Sequence, residues 1–237
     1  MLFPDGVEHM AKKGSRSGSA NWVLSRLARD DLALLKPHLV GVDLPLFTQL
    51  ETGHRPIYNV YFPERGFASV VANGPGGPAV ELGIIGREGM TGLAVVLGGD
   101  QSPQDTYVQS AGTGQRISAG KLRGAMDQSA RLHRSLLSYA FSFHLQTAQT
   151  ALSHRRNTTQ ERLARWVLMA DDRLDGAALP LTHQLLSIML GVHRPGATVA
   201  VQALERQGLI TTGRGTITIV DRAALQKLCK GTYLPPG

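Results

Sequence analysis

The sequence predicts an α+β chain in three stretches: an all-β unit of the sandwich or jelly-roll kind, one long helix, and a pair of short helices closed by a β-hairpin. Three observations predict it. Between Val40 and Ile117, β-prone runs such as PIYNVYFP, GFASVVA, AVELGII and TYVQ alternate with the turn clusters PERG, NGPGGP, GREGMTG and GGDQSPQD. From Ser129 to Arg156 the chain holds neither Gly nor Pro, enough for about seven helical turns. From Leu181 to Ile210 two periodic apolar segments flank Gly191, and two further β-prone runs follow.

Taken in order, residues 1–21 are rich in Gly, Ser, Lys and Arg and lack the apolar core of a signal peptide, so a disordered arm is expected there. After Asn21, NWVLSRLARDDLALLKPHL repeats Val23, Leu24, Leu27, Leu32 and Leu35 at helical spacing, which predicts a short helix ending near Pro37. The β-rich unit should then run to about residue 128. Charge divides unevenly: residues 31–120 carry 5 Lys+Arg against 8 Asp+Glu, 121–156 carry 6 against 1, and 158–237 carry 9 against 6. The net charge of +7 therefore resides in the C-terminal half, where an anionic partner would be met. The single cysteine, Cys229, excludes an intramolecular disulfide and a four-thiolate metal site, and no apolar run approaches a membrane span. A reducing cytoplasm is the expected location.

The long helix, residues 129–156, carries two apolar stripes. Leu132, Leu136, Tyr139 and Phe143 form one; Leu137, Phe141, Leu145, Ala148 and Leu152 form the other. The β-rich unit can cover one of them. The second is covered either by the rest of the chain or by the same helix of a second copy. Beyond Arg156, Thr158 and Glu161 have the spacing of a capping box, so the boundary to the final unit, 157–237, belongs there. Trp166 falls in the apolar stripe of that helix and should be core.

In LTHQLLSIMLGVHRPGATVAVQALERQGLI the inner faces are Leu186, Met189 and Leu190, then Ala197, Val201 and Leu204. Thr182 is a good N-cap, Gly191 permits the positive φ of a tight turn, Ser187 is small enough for close crossing, and Pro195 suits a first helical turn. His193 and Arg194 then stand at a helix entrance, with Thr198, Val199 and Gln202 continuing the outer face. Such residues at the front of a second helix are what base-edge reading in a major groove requires. The following GLITTGRGTITIVDR predicts a hairpin of Leu209–Thr212 and Thr216–Val220 with Arg214 at its tip, a wing placed to meet phosphate.

With these residues the chain resembles the Crp/Fnr family of bacterial transcription regulators. The resemblance runs from about Trp22 to Cys229 and is carried by the helix pair with its wing, by ERLARWVLM, and by VYFPERG and VELGIIGREGMTGLAVVLGG. It implies a cyclic-nucleotide-binding-like β-roll (22–128), a dimerisation helix (129–156) and a winged helix-turn-helix domain (157–237). It implies double-stranded DNA, a second copy of the chain and RNA polymerase as partners. Thr182, His183, His193, Arg194, Gly196, Thr198, Val199, Gln202 and Arg214 are the expected DNA-binding residues. Arg194 falls on the family's guanine-reading arginine and Thr182 on a phosphate-contacting cap, whereas Pro195 and Val199 stand where the family has a glutamate and a second arginine.

In the roll, the residues corresponding to the family's ribose- and phosphate-holding segments are Gly89-Met90-Thr91 and Gln104-Asp105, with Glu88 just before them. An acidic group in place of a phosphate-binding arginine repels the ligand. A degenerate pocket is expected, with an unknown effector or none, and no cofactor. A cupin-like metal enzyme would need several His and carboxylate ligands on neighbouring strands. The β-rich stretch offers only His54, and His133, His144 and His154 on the long helix lack chelating spacing. An RNA-associated module would need exposed aromatics beside the basic residues, and the C-terminal unit has only Trp166 and Tyr233.

Overall fold

The computed structural model describes residues 19–73, 79–174, 179–180 and 183–236. Helices α1 (Trp22–Ser25) and α2 (Arg29–Leu35) open the chain and end in a 3₁₀ turn, Lys36–His38. The single helix expected here is thus two, broken at Arg26–Ala28. Asn21 caps α1, its side-chain oxygen accepting from Leu24 N at 3.2 Å. Its amide also donates to the carbonyls of Pro63 and Gly89, both at 2.8 Å. The end of the expected arm is therefore bonded to the roll. Buried Asp31 in α2 accepts from Ser129 Oγ at 2.7 Å and pairs with Arg131 Nε at 2.6 Å, fixing α2 to the start of the long helix.

The roll follows: β1 (Val40–Leu44), β2 (Gln49–Glu51), β3 (Arg55–Pro56), β4 (Asn59–Ala72), β5 (Val80–Ile85), α3 (Leu93–Val96), β6 (Gln101–Ser102) and β7 (Asp105–Ser118). Its main antiparallel sheet has the order β1-β7-β4-β5, with β2 also on β7 and a separate β3–β6 pair. PERG, expected as a turn, lies inside β4. There the ladder with β7 slips between Pro63 and Ala68, and Gly66 takes φ +68° against the carbonyls of Ser110 and Ala111. The glycine turns a break into a bulge, so one strand runs where two were expected. Of the cluster NGPGGP, residues 74–78 lie outside the described part.

Next come α4 (Ala119–Gln128), the 27-residue α5 (Ala130–Arg156), α6 (Thr159–Asp171), β8 (Leu179–Pro180), α7 (His183–Leu190), α8 (Arg194–Arg206), β9 (Ile210–Gly213), β10 (Thr216–Ile219) and α9 (Arg222–Leu228). Helix α4 was not foreseen: two glycines mask it in the sequence, but Ser118 caps it and Leu122, Ala125 and Met126 are buried. Ser129 caps α5 through Leu132 N at 3.2 Å. The capping box of α6 is formed, Thr158 N donating to Glu161 Oε2 at 3.0 Å and Glu161 N to Thr158 Oγ1 at 3.3 Å.

Two cores result. In the first, Val60, Phe62, Met90 and Ile117 of the roll close over Leu24, Leu35, Leu122, Leu132 and Leu136. In the second, Phe67 and Ile84 from the opposite side of the sheet join Trp166, Met189, Ala197, Leu204 and Ile217. A register shift between Val70 and Val71 pairs Val70 with Gly83 but Val71 with Glu81. This bulge lets Glu81 and Ile84, three residues apart, serve the same side of a strand whose faces otherwise alternate. Helix α5 closes the free edge of β5: Gln146 Oε1 accepts from Ile84 N at 2.8 Å and its amide donates to Ile84 O at 3.2 Å.

Candidate nucleic-acid interface

Helices α7 and α8 meet at Gly191, which has φ +58°. Leu186, Met189 and Leu190 of α7 and Ala197, Val201 and Leu204 of α8 are all buried between them and α6. Pro195 occupies the first turn of α8, and His193 stands at the N-cap position without a side-chain capping bond. The outer face that remains comprises His193, Arg194, Pro195 and Gly196, then Val199, Gln202 and Arg206, all exposed. Thr198 is half-buried, its hydroxyl donating to Arg194 O at 3.1 Å. Thr182 lies outside the described residues, and His183 is the first residue of α7.

The wing is a three-stranded sheet of order β8-β10-β9; strand β8 was not foreseen. Arg214 sits exposed in the turn between β9 and β10, after Gly213 pairs with Thr216. Glu205, also unforeseen, ties the wing to the end of α8: it accepts from Thr212 N at 3.0 Å and Thr212 Oγ1 at 2.7 Å. Those bonds hold its carboxyl below the usual range. Helix α8 and the hairpin are thus one connected element. Behind it, Arg222 bridges Asp171, at 2.5 Å, and Asp172, while Tyr233 donates to Asp172 at 2.7 Å, so Tyr233 is spent inside the unit.

Residues 161–228 match the Crp-like helix-turn-helix domain family. Among solved structures, a protein of the Crp/Fnr family from Eubacterium rectale is 18% identical, with 90% of this chain and 99% of that one covered at a TM-score of 0.71. The chain has the Crp/Fnr architecture. FixK2 from Bradyrhizobium japonicum is similar in fold to this chain, at 17% identity over 80% of this chain and 96% of that one, with a TM-score of 0.69. CLP of Xanthomonas campestris, a c-di-GMP-responsive global regulator, gives 17% identity, 81% and 99% coverage, and 0.64. No curated protein matches the sequence.

Within this Crp/Fnr roll a cavity of about 350 Å³ lies between the sheet, α3 and α5. Of the six residues expected to form a degenerate pocket, Thr91 and Gln104 line it. The other four do not. Met90 is buried in the roll core, and Gly89 packs so tightly against Tyr139 that a Cβ would meet the phenol oxygen. Glu88 points away to Arg173, at 2.5 Å. Asp105 accepts from Gly53 N at 2.8 Å and from the Asn73 amide, which makes it a loop clasp. The cavity holds a residue that sequence reasoning missed: buried Glu51, which accepts from Gly92 N at 2.5 Å. Burial raises its carboxyl above the usual range, the Gly92 and Thr91 bonds opposing. Helix α5 contributes Phe143, His144 and Thr147, and no Lys or Arg is found among the described lining residues.

Proposed function

We propose that the chain is a sequence-specific DNA-binding transcription regulator, not an enzyme, acting in the cytoplasm with RNA polymerase as a further partner. It binds an inverted-repeat site as a homodimer joined along residues 129–156, with 22–128 as the sensor and 157–237 as the reading domain. The observation that carries this reading is the bare outer face of α8, entered by Arg194 and flanked by the exposed Arg214 of the wing. An arginine forked onto guanine reads a base, while an arginine on an exposed wing tip neutralises phosphate. His183, His193, Gly196, Thr198, Val199 and Gln202 complete the contact set, and Thr182 is assigned to the backbone.

The second apolar stripe of α5 supports the dimer. Phe141 is 61% exposed and Leu145 43% exposed, whereas Leu132, Leu136 and Phe143 are buried against the roll. The lining of the roll cavity supports an effector other than a cyclic nucleotide, since a buried carboxyl and, among the described residues, no Lys or Arg would face a phosphate.

The test is a pair of titrations. Arg194→Ala should lose preference at one base pair per half-site, about 1–3 kcal/mol, and keep much of its non-specific binding. Arg214→Ala should weaken all duplexes alike and flatten the slope of log K against log salt by about one unit. A uniform loss for Arg194→Ala would reduce that residue to a phosphate clamp and sink the base-reading assignment.

A further inference from the structure

The C-terminal unit is seated on the roll through a carboxylate. Glu81 on β5 is 4% exposed, and its two oxygens are divided between the two units. Oε2 accepts from Ser69 Oγ of β4 at 2.5 Å, and Oε1 accepts from Trp166 Nε1 of α6 at 2.8 Å. The indole also stands edge-on to Phe67 of β4, ring centroids 6.3 Å apart. Both donors are neutral. Among the described residues no cation forms an ion pair with Glu81: Arg173 is paired with Glu88, and Arg165 Nε donates to Thr232 O at 2.8 Å.

We propose that Glu81 is a proton-responsive latch between the roll and the C-terminal unit: protonated, it holds the two together, and ionised, it lets them part. A neutral carboxyl can accept the Trp166 N–H on one oxygen and donate a hydrogen bond from its own O–H to Ser69 Oγ on the other, leaving no charge in the dry contact. The ionised group keeps two donors but holds a full charge away from water, a burden relieved when the units separate. Burial accordingly pushes the Glu81 carboxyl up to about 7, opposed by the Ser69 and Trp166 bonds and by the positive Arg165 and Arg173.

The joined state thus binds its proton to a higher pH than the parted state, in which a solvated Glu titrates near its ordinary value. Joining is strongest below that ordinary value and is lost as pH rises through about 7. From pH 6 to pH 8 the linkage weakens it by about tenfold. The other groups facing the contact do not follow that course. His154 of α5 is held below its usual range by burial and by Arg162 and Arg165 of α6, a shift opposite in direction to that of Glu81. Tyr107 of β7 is raised by burial and by Glu81. Helix α7 brings Met189.

The chain has two tryptophans, so Trp22→Phe leaves Trp166 as the sole reporter. Acrylamide quenching of its fluorescence should be weak at pH 6 and grow toward pH 8 with a midpoint near 7, while far-ultraviolet circular dichroism stays constant. Glu81→Gln, neutral at every pH, should stay weakly quenched throughout. Quenching that is flat with pH in the Trp22→Phe chain, or a Glu81→Gln chain with the same midpoint, would each overturn the latch.

Discussion

A Cβ added to Gly191 would stand 3.2 Å from Cε1 of His154, so the turn of the helix pair rests directly on the last turn of α5. Gly191→Ala meets two penalties, a left-handed backbone at φ +58° and this contact. The backbone part costs about 1–2 kcal/mol, and thermal unfolding should show a lower midpoint. His154→Ala in the same chain should recover the contact part and leave the backbone part. Full recovery would mean that the left-handed turn is not required.

The seam of the proposed dimer can be assigned to one side of α5. Phe143 and Leu136 are buried against the roll, so charge there would damage the fold. Phe141→Glu and Leu145→Glu act on the exposed stripe instead. Each should yield folded monomers in sedimentation and lose affinity for the inverted repeat while a single half-site is bound as before. A dimer unaffected by both changes would move the seam elsewhere.

Neither cyclic AMP nor cyclic GMP should bind the roll at micromolar concentration. Isothermal titration calorimetry checks this directly. Introducing a cation opposite the buried carboxylate, as in Gln104→Arg, should make the cavity more tolerant of phosphate, because Gln104 lines it and Asp105 does not. A micromolar dissociation constant in the parent chain would refute the cavity's proposed selectivity.

Glu88 and Arg173 form a side-chain pair that is 9% and 3% exposed. Removing one member strands the other in the interior. Glu88→Ala should therefore cost about 3–5 kcal/mol in denaturant unfolding, and the double change Glu88→Ala with Arg173→Met appreciably less. Equal losses in both would show that the pair is not what Arg173 needs.

Much of this architecture could be read before any coordinates, and the misses have physical causes. The long helix, the capping box at Thr158, the positive φ at Gly191 and Pro195 in a first turn are local signals that tertiary context left standing. The strand through PERG and the placing of Glu81 were illegible because each depends on a bulge, and a bulge changes side-chain parity without changing residue type. Glu51 escaped for a related reason: only the folded roll brings β2 beneath Gly92. On the outer face of α8, exposure of Arg194, Val199 and Gln202 followed from helical spacing, while the tie from Glu205 to Thr212 joins an α-helix to a strand that spacing alone cannot connect.

The second core has a bearing on how interchangeable the parts of this chain are. Phe67 and Ile84 belong to the same buried cluster as Trp166, Met189 and Leu204, so the C-terminal unit borrows part of its interior from the roll. Transplanted onto a foreign roll, residues 157–237 would present an indole and a methionine to whatever side chains that roll happened to supply. A working chimera would have to carry β4 and β5 with it, or replace them with a surface offering an aromatic edge and an acceptor for the indole N–H.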